Sequence, residues 1–461
     1  MEKFRLHRDS LGEVRVPADK YYGAQTQRAV ENFPISGLRL PRRFIRAQGI
    51  IKAAAARANR DCGELPAELA DAIISAAEEV IEGRWDDHFV VDVYQAGAGT
   101  SQNMNANEVI AGRAAELLGG KAGDMSLVHP NDHVNRGQST NDTIHVAINI
   151  AAAEGLVHEC IPAARALADA LWKKAEAFHP IIKSGRTHLQ DAVPMRLGQE
   201  FEGYAASLDG AVEDLKRVLP DLYQIGLGGN AVGTGINTHP DYARLAIENI
   251  AERTALPFVP AKNRFAFMQN TGAAFKASAA LKGLAIHLSK LASDLRLLSS
   301  GPRTGLAEIR LPAVQPGSSI MPGKVNPVMA EMMNMVCCQV IGNDAAITSA
   351  GELSQLEINV MMPVIAHNLL QSIQILTNGM NAFRERLVEG IEADPDRCRD
   401  WMEQSLALAT ALNPVIGYDR AAEVAKKAYR EDKTIRQVVV EDGLLSEEEA
   451  GRVLDVRRMV P

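Results

Sequence analysis

Residues 317–327, GSSIMPGKVNP, gather two serines, a lysine and an asparagine between glycines and prolines. Side chains of these types on a tight loop hold a small anion and leave a hydroxyl free for chemistry. A phosphate loop is excluded by spacing, because five residues separate Gly317 from Gly323 where that motif has four, and Val325 follows Lys324 in place of Ser or Thr. GLGGNA (226–231) has neither a preceding strand nor a following helix start and reads as a packed glycine turn. HPNDHVN (129–135) spaces two histidines four apart, but Pro130 and its Asn and Asp residues predict a turn, without a third metal ligand. Three further clusters, GAGTSQNMNANE (97–108), GQSTND (137–142) and GRTHLQDAVP (185–194), set Ser, Thr, Asn or His beside glycine at expected turn-to-helix junctions. With GSSIMPGKVNP they define a donor-rich pocket holding one lysine, Lys324, and one histidine, His188. Such a pocket suits a small carboxylate better than a phosphate or a metal.

The elements that must position these clusters are helical. Long apolar-periodic runs at 142–177, 196–218, 270–300, 327–350 and 361–388 are rich in Ala, Leu, Ile and Met, and aromatics are only 5% of the chain. Helices apolar on nearly every face belong in the middle of a bundle, often one shared between subunits. Shorter helices are expected at 45–59 and at 67–83, with Gly83 as C-cap, and a capping box from Ser446 to Glu449 opens a terminal one. Asn326 and Pro327 read as a helix start. The texture divides the 461 residues into an N-terminal domain (1–138), a central helical bundle (139–389) and a small C-terminal helical domain (390–461).

A net charge of −8 argues against nucleic-acid and acidic-membrane partners. The five cysteines show neither metal-ligand spacing nor the even count of a secreted disulfide framework. The charged amino terminus predicts no signal peptide, and no run reads as long enough for a membrane span. The expectation is a soluble, cytoplasmic protein without metal.

On these motifs the chain resembles the aspartase/fumarase superfamily. GSSIMPGKVNP matches its signature, the other three clusters fall where that family has its conserved regions, and the similarity runs from GEVRVPADKYYGAQTQRAVENF (12–33) to the tail. The resemblance implies a mainly α, three-domain fold, with a long central bundle pooled in a homotetramer and active sites drawn from three subunits. It implies elimination from a succinate skeleton to give fumarate, without cofactor or metal. A base removes a C3 proton, and the adjacent carboxylate becomes an enediolate that preorganised donors stabilise by roughly 2.7–4 kcal/mol each.

By the same resemblance Ser318 is the general base, activated by backbone N–H groups of its loop, and His188 pairs with Glu331. Thr100, Ser101, Ser139, Thr140 and Ser319 are the hydroxyls around the substrate. Lys324 and Asn326 hold the other carboxylate, while Asn141, Thr187 and His188 surround the leaving group. HPNDHVN resembles a secondary anion-binding turn of fumarases, at His129, Asn131 and Asp132. GAGTSQNMN, QSTND, GRTHLQDAVPMRLGQEF, NPVMAEMMNMV and INVMMPV look more like aspartases, while HPNDHVN with His129 is the fumarase form, which sets L-aspartate ammonia-lyase first and fumarate hydratase second. TIH (143–145) departs from the FPT or YPT usual in both groups, at Ile144 and His145.

Overall fold

The computed structural model describes residues 4–460. It is mainly helical, at 63% helix. The five long apolar runs become the helices Thr140–Gly155 with Ile161–Phe178, Leu197–Leu222, Gly272–Leu298, Val328–Glu352 and Met362–Arg386. The strands among the described residues form two-stranded pieces only. The chain divides into two compact units, both discontinuous in sequence. The first holds Met1–Pro162, Ala211–Ala285 and Cys337–Thr377; the second holds Ala163–Gly210, Ile286–Val336 and Asn378–Pro461.

In the first unit the helices Arg42–Asp61, Ala67–Ile81 and Thr100–Leu117 surround a core that includes Ile73, Val80, Val109 and Ile110. Gly49 permits the closest approach, since a Cβ there would lie 2.9 Å from the Ile81 side chain. Gly83 has φ +87°, the left-handed conformation expected of a residue closing a helix. The amino terminus departs from the expected mixture of turns and helices. FRLHRD and GEVRVP pair as an antiparallel hairpin, Phe4–Asp9 against Gly12–Pro17.

In the second unit the helices Tyr418–Glu431, Ile435–Glu441 and Glu447–Val453 close over Leu412, Val424, Val438 and Val439. The Ser446–Glu449 capping box forms as expected, and Thr434 with Gln437 makes another. The stretch Thr140–Phe178 corrects one expectation. It is helical throughout and apolar enough by length and composition to cross a bilayer, yet 78% of its apolar window is buried inside the protein. The core takes the surface that a membrane would otherwise cover.

His88 is buried in the first unit, and its Nδ1 accepts the Tyr21 N–H at 3.0 Å. Burial, helped by Lys20, holds its pKa down to about 4. A histidine depressed in the folded state contributes stability above its unfolded pKa, near 6.5, and loses it as pH falls through the folded value. Urea midpoints therefore fall between about pH 6.5 and 4, and His88→Gln flattens that dependence. A profile equally steep in the variant would assign the loss to other groups.

Candidate active site

Thr100, Ser101, Ser139, Thr140 and Asn141 belong to the first unit. Two helix starts position them. Ala98 (φ 59°) and Gly99 (φ 81°) turn the chain into the helix Thr100–Leu117, and Thr100 Oγ1 donates to the Gly97 carbonyl at 3.1 Å. Thr100 is exposed and Ser101 buried. Ser139 caps the helix Thr140–Gly155: its Oγ accepts the Asn141 N–H, while its own N–H donates to Asp142 Oδ1 at 2.8 Å. Asn141 Nδ2 donates to the Ala231 carbonyl at 2.8 Å. Asp142 Oδ2 accepts the N–H groups of Gly228 and Asn230, at 2.9 and 2.8 Å. The glycine turn 226–231 is thus a support for the helix start at Thr140. Burial pushes the Asp142 carboxyl up to about 7, with these backbone bonds and Lys52 opposing.

Lys52 is the residue that the sequence patterns do not disclose. It lies mid-helix in the apolar run IIKAAAA, fully buried, and donates to Asn103 Oδ1 (3.0 Å), Asn135 Oδ1 (2.9 Å) and Gln138 Oε1 (2.9 Å). Asn103 Nδ2 donates in turn to Thr140 Oγ1 at 3.2 Å. One ammonium therefore ties the helix start at Thr140 to the turn that ends at Asn135. Burial draws its pKa down to about 7, against the pull of Asp142. A lone lysine inside an alanine and isoleucine run was the available signal, because burial of an ammonium requires partners.

HPNDHVN forms a single π-turn, Pro130–Val134. His129 Nδ1 accepts the Asp132 N–H at 3.1 Å, and His133 Nδ1 accepts the His129 N–H at 2.9 Å. Asn131 and Asp132 are exposed.

The second unit holds Thr187, His188, Ser318, Ser319, Lys324, Asn326 and Glu331. GRTHLQDAVP is not a turn-to-helix junction. It forms the end of an antiparallel hairpin, Ile182–Thr187 with Gln190–Arg196, and His188 and Leu189 make its two-residue tip. Both tip residues have positive φ, 57° and 59°. A two-residue tip of this hand normally uses Asn and Gly, so side chains here store strain of about 1–3 kcal/mol each. Such strain concentrates where a side chain has work to do. The base of the hairpin is pinned by a buried ion cluster. Glu308, fully buried, meets Lys183 Nζ at 2.7 Å and Arg186 Nη1 at 2.8 Å, and Lys183 also meets Glu200 at 2.6 Å.

The loop 317–327 is closed at its neck. Gly317 N donates to the Lys324 carbonyl at 3.0 Å, and Asn326 Nδ2 donates to the Gly317 carbonyl at 2.7 Å. Only glycine fits at 317, where a Cβ would lie 2.4 Å from the Lys324 oxygen. Ser318 Oγ accepts the backbone N–H groups of Ile320 (3.3 Å) and Met321 (3.0 Å). Two donors aimed at one hydroxyl oxygen favour its negatively charged form. Ser319 and Lys324 are exposed, and the helix begins at Val328, so the Asn326 side chain closes the loop where a helix cap was expected. Lys324 and Asn326 line a surface cavity of about 790 Å³ with Arg310 and Arg397. Glu331 stands half-buried in the first turn of Val328–Glu352. His188 and Glu331 make no hydrogen bond or ion pair with each other among the described residues.

Residues 12–342 match the family described as Lyase, and 408–461 match Fumarase C C-terminus. The chain belongs to that lyase family, within the aspartase/fumarase superfamily. It is 55% identical to a class II fumarate hydratase of Halobacterium salinarum, over 99% of this chain and 97% of that protein. It is 48% identical to an aspartate ammonia-lyase of a Bacillus species, over 99% and 97%. A crystal structure of the class II fumarase of Schistosoma mansoni superposes with a TM-score of 0.96 at 38% identity, covering 99% of each chain.

These findings overturn the ranking that put aspartate ammonia-lyase first. Several further relatives at 47–52% identity are also class II fumarate hydratases. The structure shows why the motifs misled. Thr140 Oγ1 accepts a hydrogen bond from Asn103, within the protein. In NPVMAEMMNMV, Ala330 and Met333 are fully buried in packing. In INVMMPV, Asn359 Nδ2 donates to the Ala350 carbonyl. Several of the letters on which that ranking rested thus make internal contacts, and it is the relatives that decide against it.

Proposed function

We propose that the protein is a fumarate hydratase, interconverting L-malate and fumarate. The observation that carries this reading is the 55% identity, over essentially the whole chain, to a class II fumarate hydratase. In the proposed reaction Ser318 Oγ takes the C3 proton of L-malate, its negative charge held by the N–H groups of Ile320 and Met321. The electron pair moves onto the C4 carboxylate as an enediolate. Thr100, Ser101, Ser139, Thr140 and Ser319 supply donors there, and Lys324 with Asn326 binds the other carboxylate. The C2–O bond then breaks, with the oxygen protonated from His188, and water and fumarate are formed. Asn141 and Thr187 flank that oxygen, and Glu331 of the same assembly orients the imidazole.

We also assign the three-part division 1–138, 139–389 and 390–461 to this chain, with a homotetramer whose sites draw on three subunits. Support comes from apolar side chains that one chain leaves exposed on its long helices, among them Ile286 at 52%, Met335 at 70% and Ile341 at 42%. His129, Asn131 and Asp132 are assigned to a secondary anion site. The five free cysteines fit a reducing compartment such as the cytoplasm. The experiment that tests the activity is a comparison of L-malate with L-aspartate as sources of fumarate, under conditions where either reaction would be seen.

A further inference from the structure

The hairpin tip that carries His188 has little to hold it. Thr187, His188, Leu189, Gln190 and Asp191 are all exposed, so packing within the chain does not fix them. The strand pairing is interrupted by a register shift between Ser184 and Arg186. That shift leaves two residue pairs between the bulge and the turn, Arg186 with Asp191 and Thr187 with Gln190. Beyond them His188 and Leu189 sit in the strained left-handed region, at φ 57° and 59°. So short a ladder opposes that strain poorly, because a bulge disrupts the pairing and bends its strand. A further support has to act on the tip side of the bulge.

Arg186 is placed to give that support. It is the first residue past the bulge and stands two residues before His188. Its Nη1 meets Glu308 Oε1 at 2.8 Å, and the Glu308 side chain is 0% exposed. Glu308 is itself fixed through its backbone. Its N–H donates to the Leu298 carbonyl at 2.9 Å, and its carbonyl accepts the Asp394 N–H at 2.9 Å. These bonds join it to the end of the helix Gly272–Leu298 and to the cap of Pro395–Gln404. Lys183 Nζ lies between Glu308 and Glu200, at 2.7 and 2.6 Å, so the two cations of the cluster match its two carboxylates. Lys183 lies on the other side of the bulge and cannot tether the tip in place of Arg186.

We propose that Arg186 and Glu308 are positioning residues for His188: their ion pair ties the tip, past the bulge, to a fixed part of the second unit and so sets where the imidazole stands. The proposal rests on the reading of His188 as the group that protonates the leaving oxygen. Position and stability are separable here. Removing one member of a buried ion pair strands the other, whereas replacing both by apolar side chains of similar size is close to neutral for stability. In Arg186→Met/Glu308→Met, Lys183 keeps Glu200 as its partner, but the tip has lost its tether.

The test compares that double variant with the parent, each as full-length protein in its native assembly. Tm should return close to the parental value, while kcat for L-malate stays about 10–100-fold low. KM should change little, since Lys324 and Asn326 lie on another loop. Deuterium uptake by the hairpin, residues 182–196, should be about tenfold faster or more, with other segments exchanging as in the parent. Parental uptake in the hairpin overturns the proposal, as does a kcat that recovers together with Tm. Arg186→Lys keeps the charge that faces Glu308 and should stay near the parent, whereas Arg186→Gln should lose both rate and protection. That second comparison decides the matter where the double variant does not fold, and Arg186→Gln behaving as the parent overturns the proposal. Uptake does not depend on the reaction. A parent that forms no fumarate from L-malate therefore overturns the hydratase reading, and exchange still decides whether the tether exists.

Discussion

Ser318→Ala lowers kcat for L-malate dehydration by about 10²–10⁴-fold, the range that removal of a positioned general base produces. KM changes far less, because the donors at Ser319, Lys324 and Asn326 remain. The argument rests on the two backbone N–H groups that point at Ser318 Oγ from Ile320 and Met321. A free serine is a very weak base, and a hydroxyl accepting two N–H bonds is the arrangement that makes its oxyanion accessible. The same variant reports on the assembly. His188→Asn and Ser318→Ala proteins, each inactive, are denatured together and refolded as a mixture. Activity regained in the mixture shows that His188 and Ser318 of one site come from different chains, since some mixed sites then carry both native residues. A mixture as inactive as its parents would remove the shared-site proposal, and Ser318→Ala with near-normal turnover would remove the base.

Lys52→Met destabilises the fold by about 3 kcal/mol, because Asn103, Asn135 and Gln138 each keep a buried oxygen without its donor. The loss is smaller than the sum of three orphaned acceptors, since methionine also relieves the burial of an ammonium. Turnover falls as well, by about tenfold or more, because Asn103 no longer fixes Thr140 at the helix start. Urea unfolding and steady-state kinetics measure the two effects. A variant that keeps both parental values would show that the ammonium is a passenger in the core. The two residues thus separate chemistry from support: Ser318 governs kcat with little change in stability, and Lys52 governs both.

The long helices were legible because their apolar periodicity is local. Val328–Glu352 and Gly272–Leu298 begin and end within a few residues of the runs that predict them. The polar clusters were legible as clusters, since glycine beside Ser, Thr or Asn marks a turn whatever surrounds it. Their settings were less so. GRTHLQDAVP looks like a helix entry by composition, yet its alternation fits a hairpin, whose tip forces His188 and Leu189 to positive φ. The amino-terminal hairpin likewise hides because its pattern is inverted: Phe4, Leu6 and Arg8 are exposed, whereas Arg5, His7 and Asp9 are half-buried. Lys52 and Asp142 were invisible as a site because their partners, Asn103, Gln138, Gly228 and Asn230, come from distant parts of the chain. The choice between ammonia and water was lost for another reason. Some of the letters on which the ranking rested make internal contacts, such as that between Asn103 and Thr140.

The decisive measurement is the initial rate of fumarate appearance, followed by ultraviolet absorbance, with L-malate and with L-aspartate offered separately to the same preparation. The hydratase account predicts fumarate from L-malate and none above background from L-aspartate, with the malate rate lowered about 10²–10⁴-fold in Ser318→Ala. Fumarate from L-aspartate alone would contradict it.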